Sequence, residues 1–304
     1  MEKRGTIEML AAMVICGTIG ITVHLSNQNT VSLLFFRCLL GAMALFVICF
    51  MRGYFNKQIF NLKTFTYALL GGGALLINWY FLFTAYKSTS IGIATTVYNT
   101  QPLMMMVFGF FFFKEKITLN DLLWMAVSLL GLLFVSNIAW QWSSHQTSGT
   151  FRIIGLGEAL IAALFYAFAS IFAKMLKGTP PTLIALLQMS LGVLCLAPYA
   201  NVTSFLHPNH ITNTVATLLL GILHTGIMYV LLYSALQKIA LHRAAALSFV
   251  YPIIALLIDA GILHVRISLG QWIGVTLILL GVAGITLKWT LWPRLKKAHA
   301  SDIM

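Results

Sequence analysis

Long apolar runs separated by short polar connections set the pattern of this chain. A helix that crosses a bilayer needs about 20 consecutive, mainly apolar residues. Runs of that length predict helices near residues 6–24, 31–51, 65–86, 91–113, 119–138, 153–175, 182–200, 213–236, 243–263 and 269–290. The longest connection is the Ser/Gln/Thr-rich stretch around Trp142 to Thr150, so no soluble catalytic domain fits between the runs. The first run, Thr6 to Val23, follows Lys3-Arg4 as a signal peptide would, but no small-x-small cleavage site comes after it. It is read as a retained first helix.

Composition narrows the class. Of 304 residues, 60% are hydrophobic and 9% charged, against roughly a quarter charged in a soluble domain. Such a chain cannot cover a water-facing surface, which excludes soluble enzyme folds and leaves a lipid bilayer as its surroundings. The net charge of +12 is not gathered into a stripe for nucleic acid; its lysines and arginines sit in clusters beside the apolar runs. Cytoplasmic connections carry such an excess. With the N-terminus inside, fifteen of the nineteen basic residues are cytoplasmic, Lys87, Arg152 and Arg266 are external, and Arg37 lies within a span. Both termini are therefore expected in the cytoplasm, with Trp289 and Trp292 as interfacial anchors. Cys16, Cys38, Cys49 and Cys195 all fall inside apolar runs without ligand spacing, so neither a disulfide nor a metal site is expected.

A shift of 150 residues brings the two halves into register. Gly5 and Glu8 meet Gly155 and Glu158, Leu69-Leu70-Gly71 meets Leu219-Leu220-Gly221, and Pro102 meets Pro252. Lys116-Ile117-Thr118-Leu119 meets Arg266-Ile267-Ser268-Leu269, and Leu129-Leu130-Gly131 meets Leu279-Leu280-Gly281. Matches of Leu and Ala are cheap in an apolar chain; those of Glu and Pro are not, because both residues are scarce here. Each half holds five predicted spans, an odd number, so the second half enters the membrane from the opposite side. The expected fold is an all-α membrane protein of ten transmembrane helices in two inverted five-helix repeats, residues 1–140 and 153–292. An external linker at 141–152 joins them, and a cytoplasmic tail follows at 293–304. Secondary transporters built this way place their site near the midplane, between the repeats.

The acid opening each repeat, the proline followed by an apolar stretch and a basic-Ile-Thr/Ser-Leu turn, and the Leu-Leu-Gly of the final spans together resemble the EamA-type branch of the drug/metabolite transporter superfamily. Leu34-Phe35-Phe36-Arg37, with Gln188 as counterpart of Arg37, fits that resemblance, which covers essentially the whole chain. Lys114-Glu115-Lys116 is similar to the family's acidic turn, whereas the second copy, His264-Val265-Arg266, lacks the acid. The resemblance implies a transporter of small molecules and does not name the substrate.

Several residues are candidates for chemistry, each with a plainer structural reading. Arg37, a charge at membrane depth, would grip a substrate carboxylate through its planar fork or brace the bundle. Glu8 and Glu158 lie in the first turns of their helices, where an acid complements the helix dipole; the alternative is proton coupling. Asp259, deep in the ninth span opposite Gly109, is a third proton-coupling candidate, or sits hydrated near the external end. Pro102 and Pro252 break helical hydrogen bonding and are candidate gating hinges, which makes Tyr98, Asn99, Gln101 and Tyr251 candidate cavity liners. Asn78, Trp79, Tyr80, His224 and Tyr229 complete the substrate-binding set, with Trp79 and Tyr229 aligned by the repeat. Gly71-Gly72-Gly73 is read as a close helix contact, and the Met104–Met106 and Phe110–Phe113 runs as bulk apolar surface.

No ATP-binding motif, metalloprotease motif or nucleophilic dyad is visible, so the chain is expected to be a secondary or facilitative transporter without a cofactor, and not an enzyme. The expected substrate is a small metabolite moved by alternating access, with protons as a candidate coupling ion and a monomer or homodimer as the working unit. Export of amino acids or related compounds leads; uptake, or export of an amino-acid-derived metallophore or drug-like compound, is the alternative.

Overall fold

A computed structural model describes residues 1–56, 61–89, 91–136, 149–201, 211–262 and 267–290, the side chains of 91, 92, 149–152 and 259 excepted. The side chain of Asp259, those of Arg152 and Arg266, Trp292 and most of the expected linker thus lie outside the described residues.

The described residues form helices and no strand. The first span is α1 (Glu2–Gly17) and α2 (Ile19–Ser26), parted at Thr18. There follow α3 (Thr30–Met51), α4 (Leu62–Ser88), α5 (Ile91–Tyr98), α6 (Gln101–Phe113) and α7 (Leu119–Val135). The second half runs through α8 (Gly149–Met175), α9 (Pro181–Leu196), α10 (Ile211–Gly221), a π-helical turn (Ile222–Ile227), α11 (Met228–Lys238), α12 (Leu241–Ser248), α13 (Val250–Ile262) and α14 (Leu269–Thr286). Eight stretches among the described residues are long and apolar enough to cross a membrane, and Leu119–Val135 is a shorter apolar helix.

Packing follows the repeat. α1 lies against α11, and its counterpart α8 lies against α4; α3 pairs with α9, and α7 with α14. Each of these contacts joins one half to the other. The Leu-Leu-Gly signature serves the last pair: a Cβ on Gly131 would stand 2.6 Å from the Gly274 carbonyl oxygen and 2.8 Å from the Ile278 nitrogen. Backbone cannot retreat as a side chain can, so only glycine allows this approach. A Cβ on Gly71 would meet the Gln188 side-chain Nε2 at 2.6 Å and one on Gly72 the Gln188 Cα at 3.1 Å, while Gly73 meets nothing within 4 Å.

The basic-Ile-Thr/Ser-Leu turn proves to be a helix start. Thr118 accepts from the Asp121 amide at 3.2 Å while Asp121 accepts from the Thr118 amide at 2.8 Å. Ser268 and Gln271 repeat this capping box on α14, at 3.2 and 2.9 Å. Two donors that would face lipid or a neighbour unpaired are thereby satisfied at each start.

The prolines act differently from hinges inside a continuous helix. The chain breaks at Asn99–Thr100, and Pro102 occupies the first turn of α6, where its missing N–H costs no helical bond. In the second half the break falls at Phe249, and Pro252 is the third residue of α13. The fourth and ninth predicted spans are therefore each two short helices.

Candidate functional site

Between the halves lies a cavity of about 900 Å³, within the range of small-molecule sites. Its walls come from α1 and α2, α3, α4, α5 and α6, α7, α8, α11 and α13. Gln28, Thr30, Lys87, Ser136 and Gln271, which lie at helix ends or the turns joining them on one side of the bundle, also line it. Among the described residues its charged liners are Arg37 and Lys87, with no Asp or Glu. Aromatic residues form much of the surface: Trp79, Phe83, Tyr86, Tyr98, Tyr166, Tyr229 and Tyr251.

Arg37 sits two turns into α3 and is 3% exposed. Its guanidinium lies 4.5 Å from the centre of the Trp79 ring, and its Nε donates to Thr225 Oγ1 at 3.0 Å. That hydroxyl in turn donates to the Leu220 carbonyl at 2.7 Å. The π-helical turn makes this possible: the bond spans five residues, and π turns recur at functional sites. Trp79 meets Tyr229 edge-on at 6.1 Å, the approach across the repeat that the alignment of these two residues suggested. Gln101 is 2% exposed, and its side-chain oxygen has no partner among the described residues.

The predicted residues divide. Arg37, Trp79, Tyr98, Asn99, Gln101, Tyr229, Tyr251 and Pro252 line the cavity. Asn78 stands behind it, donating to the Tyr98 hydroxyl at 3.2 Å and the Ala162 carbonyl at 2.7 Å. Tyr80 is corrected: it is 62% exposed, because one residue further along α4 turns the side chain by about 100° onto the outer face. His224 is also not a liner. It is 1% exposed, hydrogen-bonded with Thr18 Oγ1 at 2.8 Å and with the Leu219 carbonyl at 3.1 Å, tying the break in the first span to the π turn. Pro102 is buried outside the lining.

Neither described carboxylate candidate reaches the cavity. Glu8 accepts from Lys238 Nζ at 2.6 Å and from Arg4 Nε at 3.0 Å, which gives it a bracing role between α1 and α11. Glu158 is half-buried in α8, and its Oε2 has no partner among the described residues. Lys87, Thr95, Thr96, Tyr86, Tyr166 and Gln28 are liners that the sequence reading did not select.

The opposite end of the bundle is held by ion pairs. Glu115, between α6 and α7, accepts from Lys174 Nζ at 3.0 Å, from the Leu241 amide at 2.7 Å and from the His242 amide at 3.2 Å, and it pairs with His242 Nδ1 at 2.9 Å. Burial works against the Glu115 carboxylate, but the bonds from His242, Leu241 and Lys174 outweigh it and bring its pKa down to about 2. Glu8–Lys238 and Glu2–Arg243 lie at the same end. None of these residues lines the cavity.

An all-helical bundle of two related halves around a mid-chain cavity defines a membrane transporter class. The chain belongs to the EamA-like transporter family, whose model matches residues 3–137 and again 153–287. It is 30% identical over 282 residues to the uncharacterized transporter YxxF of Bacillus subtilis, covering 93% of this chain and 89% of that one. It is 26% identical over 228 residues to a probable amino-acid metabolite efflux pump of Salmonella typhimurium, covering 70% and 74% of the two chains. A solved crystal structure shares the fold with a TM-score of 0.81 at 17% identity, over 95% of this chain and 98% of that one. The protein is thus a multi-pass transporter of the cell inner membrane and not an enzyme.

Proposed function

We propose that this protein exports small amino-acid-related metabolites by alternating access, with the cavity as the substrate site. The observation carrying this reading is the cavity itself, which lies between two related halves and ends short of an ion-paired layer. In this reading the chain crosses the membrane ten times with both termini in the cytoplasm, as two repeats at 1–140 and 153–292. The positive charges then put the Gln28, Lys87 and Gln271 end outside, and the Glu115 layer at the cytoplasmic face. The state described is outward-facing, with its cytoplasmic gate shut.

Reversal would separate Glu115 from Lys174 and α12 and draw the counterpart helix ends together outside. Binding in such a carrier lies between the halves, and the substrate acts by its different affinity for the two states. The name of the Salmonella relative supports an amino-acid-related cargo. Uptake of labelled amino acids and their deaminated derivatives into proteoliposomes, with and without a pH gradient, tests the proposal. Saturable flux absent from protein-free vesicles is expected; no flux of any member under either condition would overturn the cargo assignment.

A further inference from the structure

We infer that the cavity selects organic monoanions, holding a carboxylate at Arg37 with a flat apolar body among Trp79, Tyr229 and Tyr251. This rests on the cavity being the transport site and narrows what enters it.

Three observations carry the inference. First, among the described residues the two charges on the lining, Arg37 and Lys87, are both positive, and no described acid is with them. Second, Arg37 is 3% exposed, yet no carboxylate among the described residues comes within ion-pair distance of it. A guanidinium held in an apolar bundle without a counter-ion calls for an anion from outside the protein. Thr225 engages its Nε and Trp79 covers one face, and among the described residues nothing else takes the terminal nitrogens, which suit a bidentate ligand. Third, the Gln101 carboxamide, 2% exposed, lines the same cavity with its oxygen unpartnered among the described residues. A buried polar group without a partner is costly, and a polar ligand would satisfy it.

The walls set the rest of the ligand. The Trp79–Tyr229 edge-on pair at 6.1 Å, with Tyr233 packed behind Tyr229 at 5.4 Å, makes a rigid aromatic corner beside the guanidinium. Flat apolar bodies gain from such surfaces. A cationic amine would find aromatic faces, but next to a fixed positive charge. The amino group of an amino acid likewise meets no carboxylate on the described lining. Lys87, exposed at the mouth, extends the positive field outward along the route a carboxylate would take.

The test is binding to the purified full-length chain in detergent, read by tryptophan fluorescence and thermal stabilisation. The probes are phenylacetate, phenylacetamide, phenylalanine and phenethylamine, which share a ring and differ in charge. Phenylacetate is expected to bind at least about 10-fold more tightly than phenylacetamide or phenethylamine and no more weakly than phenylalanine, a tenfold ratio being 1.4 kcal/mol. Arg37→Lys should weaken phenylacetate while keeping the order of ligands, and Arg37→Gln should erase the order. Because the series on the unaltered protein decides the matter, a folding defect in a variant does not obscure it. Phenethylamine or phenylalanine binding more tightly than phenylacetate, or none of the four binding to folded protein, overturns anion selectivity. Flux of neutral or cationic metabolites into proteoliposomes would then still leave the transporter reading intact.

Discussion

Lys174 Nζ, on the last turn of α8, lies 3.0 Å from Glu115 Oε1, fastening the loop after α6 to the other half of the molecule. The 150-residue repeat assigns Val265 and His24 as the counterparts of this pair, and no ion pair can form between those two side chains. The two halves are therefore unequal at this contact. If the described state is the proposed outward-facing one, Glu115→Gln should shift the resting population away from it, read as slower labelling of Cys16 from outside.

The same carboxylate gives a pH prediction. Its folded pKa, about 2, is depressed from an ordinary 4.5 by its His242, Leu241 and Lys174 partners against the opposing effect of burial. A depressed acid contributes stability that is complete above the unfolded value and is lost as pH falls through the folded one. The melting temperature of the wild type should exceed that of Glu115→Gln by a steady margin from pH 7 to about 4.5. The margin should narrow below that and vanish near pH 2. A margin unchanged at low pH would show that Glu115 acts by shape alone.

Thr225→Val removes the hydroxyl that orients Arg37 while preserving volume. Loss of one such bond to a charged group costs about 1.5–3 kcal/mol. The expected outcome is at least a tenfold rise in KM for a carboxylate substrate, with kcat less affected. An unchanged KM would mean that Trp79 alone positions the guanidinium.

Gly274→Ala should be poorly tolerated although it adds one methyl group. Its Cβ would stand 2.5 Å from the Gly131 carbonyl oxygen and 2.7 Å from the Val135 nitrogen, so α7 and α14 must part. Overpacking of this kind costs roughly 1–3 kcal/mol, visible as a lower melting temperature in detergent. Gly73→Ala, whose Cβ meets nothing, is the matched control and should be neutral.

The two glutamates that open the repeats should separate in function. Glu8 is engaged by Lys238 and Arg4, so Glu8→Gln should lower stability yet leave stimulation by a pH gradient intact. Glu158 keeps a buried oxygen with no partner among the described residues, which makes it the acid to test for coupling. Glu158→Gln should abolish gradient stimulation; retained stimulation would remove it from the coupling.

Much of the architecture was legible in the chain because membrane helices announce themselves by run length, and the repeat by scarce residues such as Glu8 and Pro102. The capping boxes at Thr118 and Ser268 were visible as a recurring turn whose purpose only geometry supplied. Helix phase was harder: Trp79 lines the cavity and Tyr80 faces outward, and no polar pattern in an all-apolar stretch separates neighbours. The π-helical turn that seats Thr225, and the break at Thr18 that His224 braces, leave no signature in residue spacing. Pro102 read as an internal kink because a chain break at Asn99–Thr100 is not written in composition.

Alternating access is most directly tested at Cys16, which lines the cavity midway along the first span. In a variant keeping Cys16 alone, it should react with a membrane-impermeant thiol reagent applied outside. With transported substrate cycling in proteoliposomes, it should also react with reagent applied at the cytoplasmic face. Reaction from one side only, with substrate flux intact, would contradict the account.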